Sequence, residues 1–295
     1  MEKWTRFAPT PSGHIHLGNA LNFFLIWAWA RREKMSIALR IDDIDRSRFR
    51  LEYLDDIFAS LNWLQLDYHA GPISSADFLQ NFSQNLRHEK YLSYAKELRD
   101  SGFAYYCKCS RKDIEERFGT ASYQGSCREK GLRDGILRLN LESCRAMKYL
   151  QDDLFQDLMK EIGDLTLVGR DKRATYQLVS VIDDVQLGIT HVMRGEDLLT
   201  STHIQKLLAK ILNLASFSNM TFCFHALVRS PDGAKLSKSG GAFALKNLYL
   251  KANHPAEFYL WASSILLKGI KCESAKQLAD SLPENYFDNQ LLQFV

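Results

Sequence analysis

The stretch "RFAPTPSGHIHLGNALNFFLIWAWARR", residues 6–32, decides how this chain is read. It holds two prolines, two glycines and two histidines before an apolar run begins. A plain helix or strand needs no such punctuation. Gly13 and Gly18 bracket a predicted loop, and Ala20 to Arg32 is predicted as a helix with a wide apolar face. "SIALRIDDID", residues 36–45, follows as a short strand that ends in acids. Strand, glycine-containing turn, helix and strand make the start of a βαβ unit, so a Rossmann-like α/β fold on a parallel sheet is expected.

Working outward, Tyr53 to Leu64 and Asn85 to Ser101 read as amphipathic helices, the second stopped by Gly102. From Tyr105 to about Leu165 the pattern breaks into charges and clustered cysteines, as in an insertion. "ATYQLVSVIDDVQLGITHVMRG", residues 174–195, resumes helix and strand, and "HALVRS", residues 225–230, reads as another strand. After "KLSKS", residues 235–239, the chain is predicted helical to its end. The expected organisation is residues 1–104 and 166–240 as two halves of a Rossmann-like domain, 105–165 as the insertion, and 241–295 as a helical tail.

The 295 residues are 46% hydrophobic and 25% charged with a formal charge of +3, ordinary globular values that lean only weakly toward anionic partners. The N-terminal residues lack a basic-then-apolar signal pattern, and the apolar run Leu21 to Ala30 is too short for a bilayer and contains Asn22. A cytoplasmic protein with no membrane partner is expected. Six cysteines do not make a disulfide framework; Cys107, Cys109 and Cys127 cluster as in a metal site, while Cys144, Cys223 and Cys272 read as buried small side chains.

Two stretches carry chemistry. Around Gly13 and Gly18 the backbone can approach a ligand closely, and the helix that follows offers free N–H groups and a positive dipole end to a triphosphate. His16 stands where it can donate to a phosphate oxygen. No GxxxxGK[ST] or GxGxxG is present, so P-loop and dinucleotide readings lack support. In "AKLSKSG", Lys235 and Lys238 flank Ser237 and can neutralise charge that builds on phosphate oxygens during displacement at phosphorus. Alone, the first stretch reads as a structural turn, and the second reads equally well as a solvated surface loop.

Together "HIHLGN" and "KLSKS" resemble the HIGH and KMSKS signatures of class I aminoacyl-tRNA synthetases, with Asn19 in the last HIGH position and Leu236 in place of methionine. "RFAPTPSGHIHLGNA", "LRIDDID", "ITHVMRGEDLL" and "KLSKS" occur in the order seen in glutamyl-tRNA synthetases, and the resemblance covers nearly the whole chain. It implies ATP as substrate with Mg²⁺, seated by His16, Gly18, Asn19, Lys235, Ser237 and Lys238. It also implies an L-glutamate pocket of Arg6, Ala8, Thr10, Asp42, Tyr176 and Arg194. There Arg6 and Arg194 would hold carboxylates in bidentate fashion, Asp42 would face the ammonium, and the Tyr176 hydroxyl would add a neutral hydrogen bond. Asp42 departs from the glutamate usual at its position, and Thr10 replaces serine. Asp43 and Asp45 read as a solvated strand end.

Only residues 240–295 follow "KLSKS". That layout resembles the glutamyl-queuosine tRNA(Asp) synthetases, paralogues that attach glutamate to the queuosine base in the anticodon of tRNA(Asp). "YYCKC" and "SYQGSCRE" resemble their Cys-Cys-Tyr-Cys set, which implies one structural Zn²⁺ held by Cys107, Cys109, Tyr123 and Cys127. A monomer is expected. Two other readings stay open: a shortened glutamyl-tRNA synthetase that charges tRNA(Glu), and a synthetase-like binding module without chemistry. The set Arg6, Asp42, Tyr176 and Arg194 disfavours a small-molecule nucleotidylyltransferase.

Overall fold

The computed structural model describes residues 2–226 and 244–288 and the backbone of Leu291–Leu292. In chain order the elements are β1 (Trp4–Phe7), α1 (Leu17–Glu33), β2 (Ser36–Leu39), α2 (Leu51–Trp63) and α3 (Ser75–Asp77). Next come α4 (His88–Asp100), β3 (Ala104–Cys107), α5 (Arg111–Phe118), β4 (Ile136–Leu139), α6 (Leu141–Ala146), α7 (Asp152–Glu161), β5 (Thr166–Val168) and α8 (Tyr176–Gln186). The chain continues through β6 (His191–Gly195), α9 (Leu199–Ile211), α10 (Ala215–Ser218), β7 (Thr221–His225), α11 (Lys246–Tyr249), α12 (Ala256–Leu266), α13 (Ala275–Ser281) and β8 (Leu291–Leu292). Two compact units result. The first is Met1–Leu86, Leu187–Leu199 and Asn219–Val295; the second is Arg87–Gln186 and Thr200–Ser218.

In the first unit β1 and β2 run parallel, Arg6 opposite Ala38 and Phe7 opposite Leu39. β6 and β7 are also parallel, Arg194 opposite Phe224. The Thr190 N–H donates to the Trp4 carbonyl at 2.9 Å, so β1 lies beside the start of β6. Both parallel pairs need a crossover, and α1 supplies the first. α1 buries Leu21, Phe23, Phe24, Leu25, Ile26 and Trp29. Phe23 meets Phe7 at 5.5 Å and Trp29 meets His191 at 5.6 Å between ring centroids, while Phe24 packs edge-on to Tyr259 of α12 at 5.8 Å. A helix covered by the sheet on one side and by α12 on another has no polar face to show. That explains why its sequence is apolar nearly all round.

Several expectations need correction. α1 begins at Leu17 rather than Ala20, so Gly18 and Asn19 belong to its first turn and not to a loop. The strand expected at residues 225–230 is β7, which ends at His225; residues 227–230 lie outside the described residues. The tail is not helical to its end, because β8 pairs antiparallel with β7, Leu291 opposite Cys223. Cys144, Cys223 and Cys272 are buried as expected.

The second unit is built on an antiparallel sheet in the order β3-β4-β5. It contains the whole of the expected insertion and extends beyond it on both sides. The extension has a physical cause in α4 and α8. Arg87, just before α4, holds Asp183 of α8 at 3.0 Å, and the Tyr91 hydroxyl of α4 donates to the same carboxylate at 2.7 Å. Asp183 and Tyr91 are fully buried, so this contact ties both helices into one body.

Candidate functional site

The start of α1 is organised by an unusual cap. His16 occupies the N-cap, its Nδ1 accepting the Asn19 N–H at 3.3 Å, while the Asn19 side-chain oxygen accepts the His16 N–H at 3.4 Å. This is a capping box with His and Asn in place of the usual Ser/Thr and Glu. Because Nδ1 accepts, the proton of a neutral His16 sits on Nε2, which makes that nitrogen a donor. The N–H groups of Leu17 and Gly18, in the first turn, have no partner within the helix. Asn19, expected as an ATP contact, is the reciprocal half of the cap. Ahead of it, Ile15 is fixed by donating its N–H to Asp56 at 2.7 Å, and Asp56 also accepts from the Tyr249 hydroxyl at 2.5 Å.

The parallel pairing of β1 with β2 continues past the strand ends. Arg40 N–H donates to the Phe7 carbonyl at 3.0 Å and Asp42 N–H to the Pro9 carbonyl at 2.9 Å. Ala8 and Thr10, both half-buried, are thereby held alongside Asp42. Asp42 is 6% exposed, and Arg40 grips its carboxylate with two bonds, Nε at 2.8 Å and Nη2 at 3.0 Å. Gln84 adds a third at 3.0 Å. Arg40 and Gln84 were not singled out from sequence. Arg40 carried a readable signal: an arginine inside the apolar run "SIALRI" needs a buried acid, and in extended chain residue 42 shares its face. Gln84 carried none.

Asp43 is not a solvated strand end. It is 1% exposed and accepts from Ser83 Oγ at 2.6 Å, the Gln84 N–H at 2.8 Å and Arg46 at 3.0 Å. Asp45 is exposed as expected, and its pKa is lowered by the Ser47 hydroxyl and N–H and by Arg48, against the effect of burial.

Arg6 on β1 and Arg194 on β6 are each 3% exposed. The Arg194 guanidinium lies 5.3 Å from the Phe222 ring centroid on β7. Both guanidiniums are thus withdrawn from water, on strands that lie side by side where Thr190 bonds Trp4. Tyr176 opens α8 in the second unit and is half-buried. Next to it Gln177 donates to Ser201 at 2.9 Å and accepts from Gln205 at 3.1 Å, which fixes the first turn of α8 on α9. Lys235, Ser237 and Lys238 lie outside the described residues.

The expected metal ligands are brought together within the second unit. The Sγ atoms of Cys107, Cys109 and Cys127 all lie within 4.8 Å of one another. Cys109 Sγ is 3.7 Å from Cys127 Sγ and 3.8 Å from the Tyr123 hydroxyl. Thiolates bound to tetrahedral zinc at about 2.3 Å stand roughly 3.8 Å apart, so the spacing fits. Burial opposes ionisation of Cys127, but hydrogen bonds from the Tyr123 hydroxyl, the Lys108 backbone and the other two thiols bring its pKa down to about 7. Burial pushes the Tyr123 phenol well above its ordinary range. The Arg138 guanidinium lies 4.2 Å from the Tyr123 ring centroid, a placement that favours the phenolate if a metal displaces the proton.

The "YQGSCR" wording has a local explanation. Gly125 takes φ +87°, and a Cβ there would lie 2.2 Å from Arg128 Nε. Arg128 needs that space, because it grips the fully buried Asp164 with bonds of 2.7 and 2.9 Å. Asp164 also accepts from the Tyr105 hydroxyl and from the Leu141 N–H. Beside it Gly163 takes φ +66°, and a Cβ there would meet the Tyr123 carbonyl oxygen at 2.4 Å. The Asp164 N–H donates to that same carbonyl at 2.8 Å. One buried acid therefore anchors the loop that presents Tyr123 and Cys127, a role no sequence spacing announces.

Residues 3–283 match the family of class I tRNA synthetases (E and Q), catalytic domain. A glutamate–tRNA ligase of Oleidesulfovibrio alaskensis is 36% identical over 253 residues, 82% of this chain and 52% of that protein. The glutamate–tRNA ligase of Thermodesulfovibrio yellowstonii is 34% identical over 249 residues, 80% of this chain and 51% of that protein. The chain spans about half the length of the curated relatives it matches. A crystal structure of a glutamate tRNA ligase from Elizabethkingia meningosepticum in complex with its amino acid shares the fold, with a TM-score of 0.70 at 20% identity, covering 97% of this chain and 66% of that one. The α/β fold with parallel strands, the capped start of α1 and the family match agree: the chain belongs to the class I aminoacyl-tRNA synthetases, within the catalytic domain of the E and Q branch.

Proposed function

We propose that the protein activates L-glutamate with ATP and passes the glutamyl group to the queuosine base in the anticodon of tRNA(Asp), activation itself needing no tRNA. The observation that carries the first half is the pair of buried guanidiniums, Arg6 and Arg194, on neighbouring strands beside the capped start of α1. Glutamate carries two carboxylates, and two buried arginines match that count. Asp42, its carboxylate plane set by Arg40, faces the substrate ammonium, and the Tyr176 hydroxyl adds a neutral hydrogen bond. Ala8 and Thr10 line the same path.

In the activation step a glutamate carboxylate oxygen attacks the α-phosphorus of ATP, the bond to the β-phosphate oxygen breaks, and pyrophosphate leaves. His16 Nε2–H and the Leu17 and Gly18 N–H groups hold phosphate oxygens at the positive end of α1. Lys235 and Lys238, with Ser237, stabilise the charge on the leaving phosphates, and Mg²⁺ supplies further charge balance when bound. No side chain acts as nucleophile; placement and electrostatics lower the barrier.

Zinc, when bound, holds the loop of the second unit together through Cys107, Cys109, Cys127 and Tyr123. The gathering of this set supports the queuosine acceptor, since the resemblance to that paralogue rests on it. A second reading, charging of tRNA(Glu) at its 3′ end, is favoured by the names of the relatives. Charging assays on queuosine-containing tRNA(Asp) and on tRNA(Glu) separate the two. We expect label on tRNA(Asp) that survives removal of the terminal adenosine; label on tRNA(Glu) alone would establish the second reading.

A further inference from the structure

We infer that Asp56 is a positioning residue for the activation step: it fixes the turn that presents His16 and ties that turn to α11. The role rests on the proposed glutamate activation, since it takes the capped start of α1 as the seat of the ATP phosphates.

Asp56 lies on the buried face of α2 with Leu54, Ile57 and Leu61 and is 3% exposed. Packing alone asks for an apolar side chain there. A carboxylate withdrawn from water needs donors on its oxygens instead. Oδ2 accepts the Ile15 N–H at 2.7 Å, and Oδ1 accepts the Tyr249 hydroxyl at 2.5 Å. Among the described residues its one ion-pair partner is His14, whose Nδ1 lies 3.5 Å from Oδ2. The His14 ring in turn stands edge-on to Tyr53, 5.0 Å between centroids. Burial, and after it the bond to Asp56, push the Tyr249 phenol above its ordinary range, so it stays a donor.

These bonds close a ring. Ile15, held at its N–H by Asp56, accepts the Leu245 N–H through its carbonyl at 2.8 Å. The Leu245 carbonyl accepts the Tyr249 N–H at 3.2 Å, and the Tyr249 hydroxyl returns to Asp56. His16 itself forms an antiparallel bridge with Ala244, which follows shortly after Lys238 in sequence. One buried carboxylate thereby sets the His16 turn against α2 and against the chain entering α11. Joining α2 to α11 needs no such ion, because Trp63 and Tyr249 already pack with ring centroids 6.4 Å apart. What the carboxylate adds is a fixed place for the residue before the cap.

Three variants of the full chain test this. Asp56→Leu keeps the volume and breaks the ring, and Tyr249→Phe opens it at one bond. In Asp56→Asn the amide oxygen can accept from Ile15 while the amide N–H donates to the Tyr249 oxygen, so the ring persists without charge. Calorimetry gives the affinities for ATP and for L-glutamate, alongside glutamate-dependent pyrophosphate exchange. Asp56→Leu should lose about a hundredfold in kcat/KM for ATP, as for a displacement of about 1 Å at the phosphates. Tyr249→Phe should lose about tenfold, and Asp56→Asn should stay within about threefold of wild type. ATP affinity should fall in the same order while glutamate affinity holds, and Tyr249→Phe should melt as the wild type does. Should Asp56→Leu fail to fold, Tyr249→Phe carries the same test. Unchanged ATP affinity and exchange in the variants, ATP and glutamate affinities that fall together, or no rescue by Asp56→Asn overturns the role and leaves activation standing. Wild-type protein that binds ATP without exchange sinks the activation reading, and the ATP affinities then decide the role alone. Wild-type protein that binds no ATP overturns both.

Discussion

At the scale of single residues, the acid proposed to read the substrate is itself a structural ion. Asp42 is nearly inaccessible and shares its charge with Arg40 through two short bonds. Removing one partner of a buried pair leaves the other charge uncompensated, at a cost of about 3–5 kcal/mol. Arg40→Met should therefore lower the unfolding free energy by about that much in urea titration. A decrease well under 1 kcal/mol would mean that the pair is solvated. Much of this was legible in "LRIDDID", because an arginine in an apolar strand calls for an acid on its own face. The burial of Asp43 was not legible. Its partners Ser83, Gln84 and Asn85 come from a turn some 40 positions away, brought there by packing rather than by pattern.

At the scale of elements, the start of α1 and the cysteine loop each depend on a local arrangement that sequence signals only half announce. Histidine is an uncommon N-cap, so Gly18 and Asn19 read as loop until the reciprocal bonds of His16 and Asn19 are seen. His16→Ala removes both the cap and the proposed phosphate donor. It should cost about 0.5–2 kcal/mol of stability and, separately, most of the exchange activity. His16→Asn restores the cap alone, and full activity in that variant would exclude a phosphate role for the imidazole. In the second unit the clustering of cysteines was legible from spacing, whereas Gly163 and Asp164 were not, since they act through backbone contact with Tyr123. Gly163→Ala places a Cβ against that carbonyl in a left-handed backbone, with strain of about 1–3 kcal/mol, and should lower the zinc retained after chelator challenge. Tyr123→Phe should release zinc at least about tenfold faster if the phenol is a ligand. Identical release would restrict the ligand set to the three thiols.

At the scale of the whole molecule, no helix among the described residues is long and apolar enough to cross a membrane. Burial lowers the pKa of His191, His203 and His225 below the ordinary 6.5. The native state thus binds fewer protons than the unfolded chain as the pH falls below 6.5. The stabilisation these groups contribute is complete above that value and is lost as pH drops through their lowered values. The urea midpoint should therefore decline on going from about pH 7 to about pH 5, and a midpoint that rises over that interval would contradict their burial as neutral rings. The βαβ opening was legible at this scale because α1 and its flanking strands follow one another in sequence. The antiparallel pairing of β8 with β7 was not, since Leu291 and Leu292 pair with a strand nearly 70 residues earlier.

Glutamate activation without RNA is tested most directly by exchange of labelled pyrophosphate into ATP. The wild-type protein should catalyse exchange with L-glutamate, not with L-glutamine, and Lys238→Ala should lose at least about a hundredfold of that rate if its ammonium stabilises the departing phosphates. No glutamate-dependent exchange above background in folded wild-type protein would contradict the proposed activity outright.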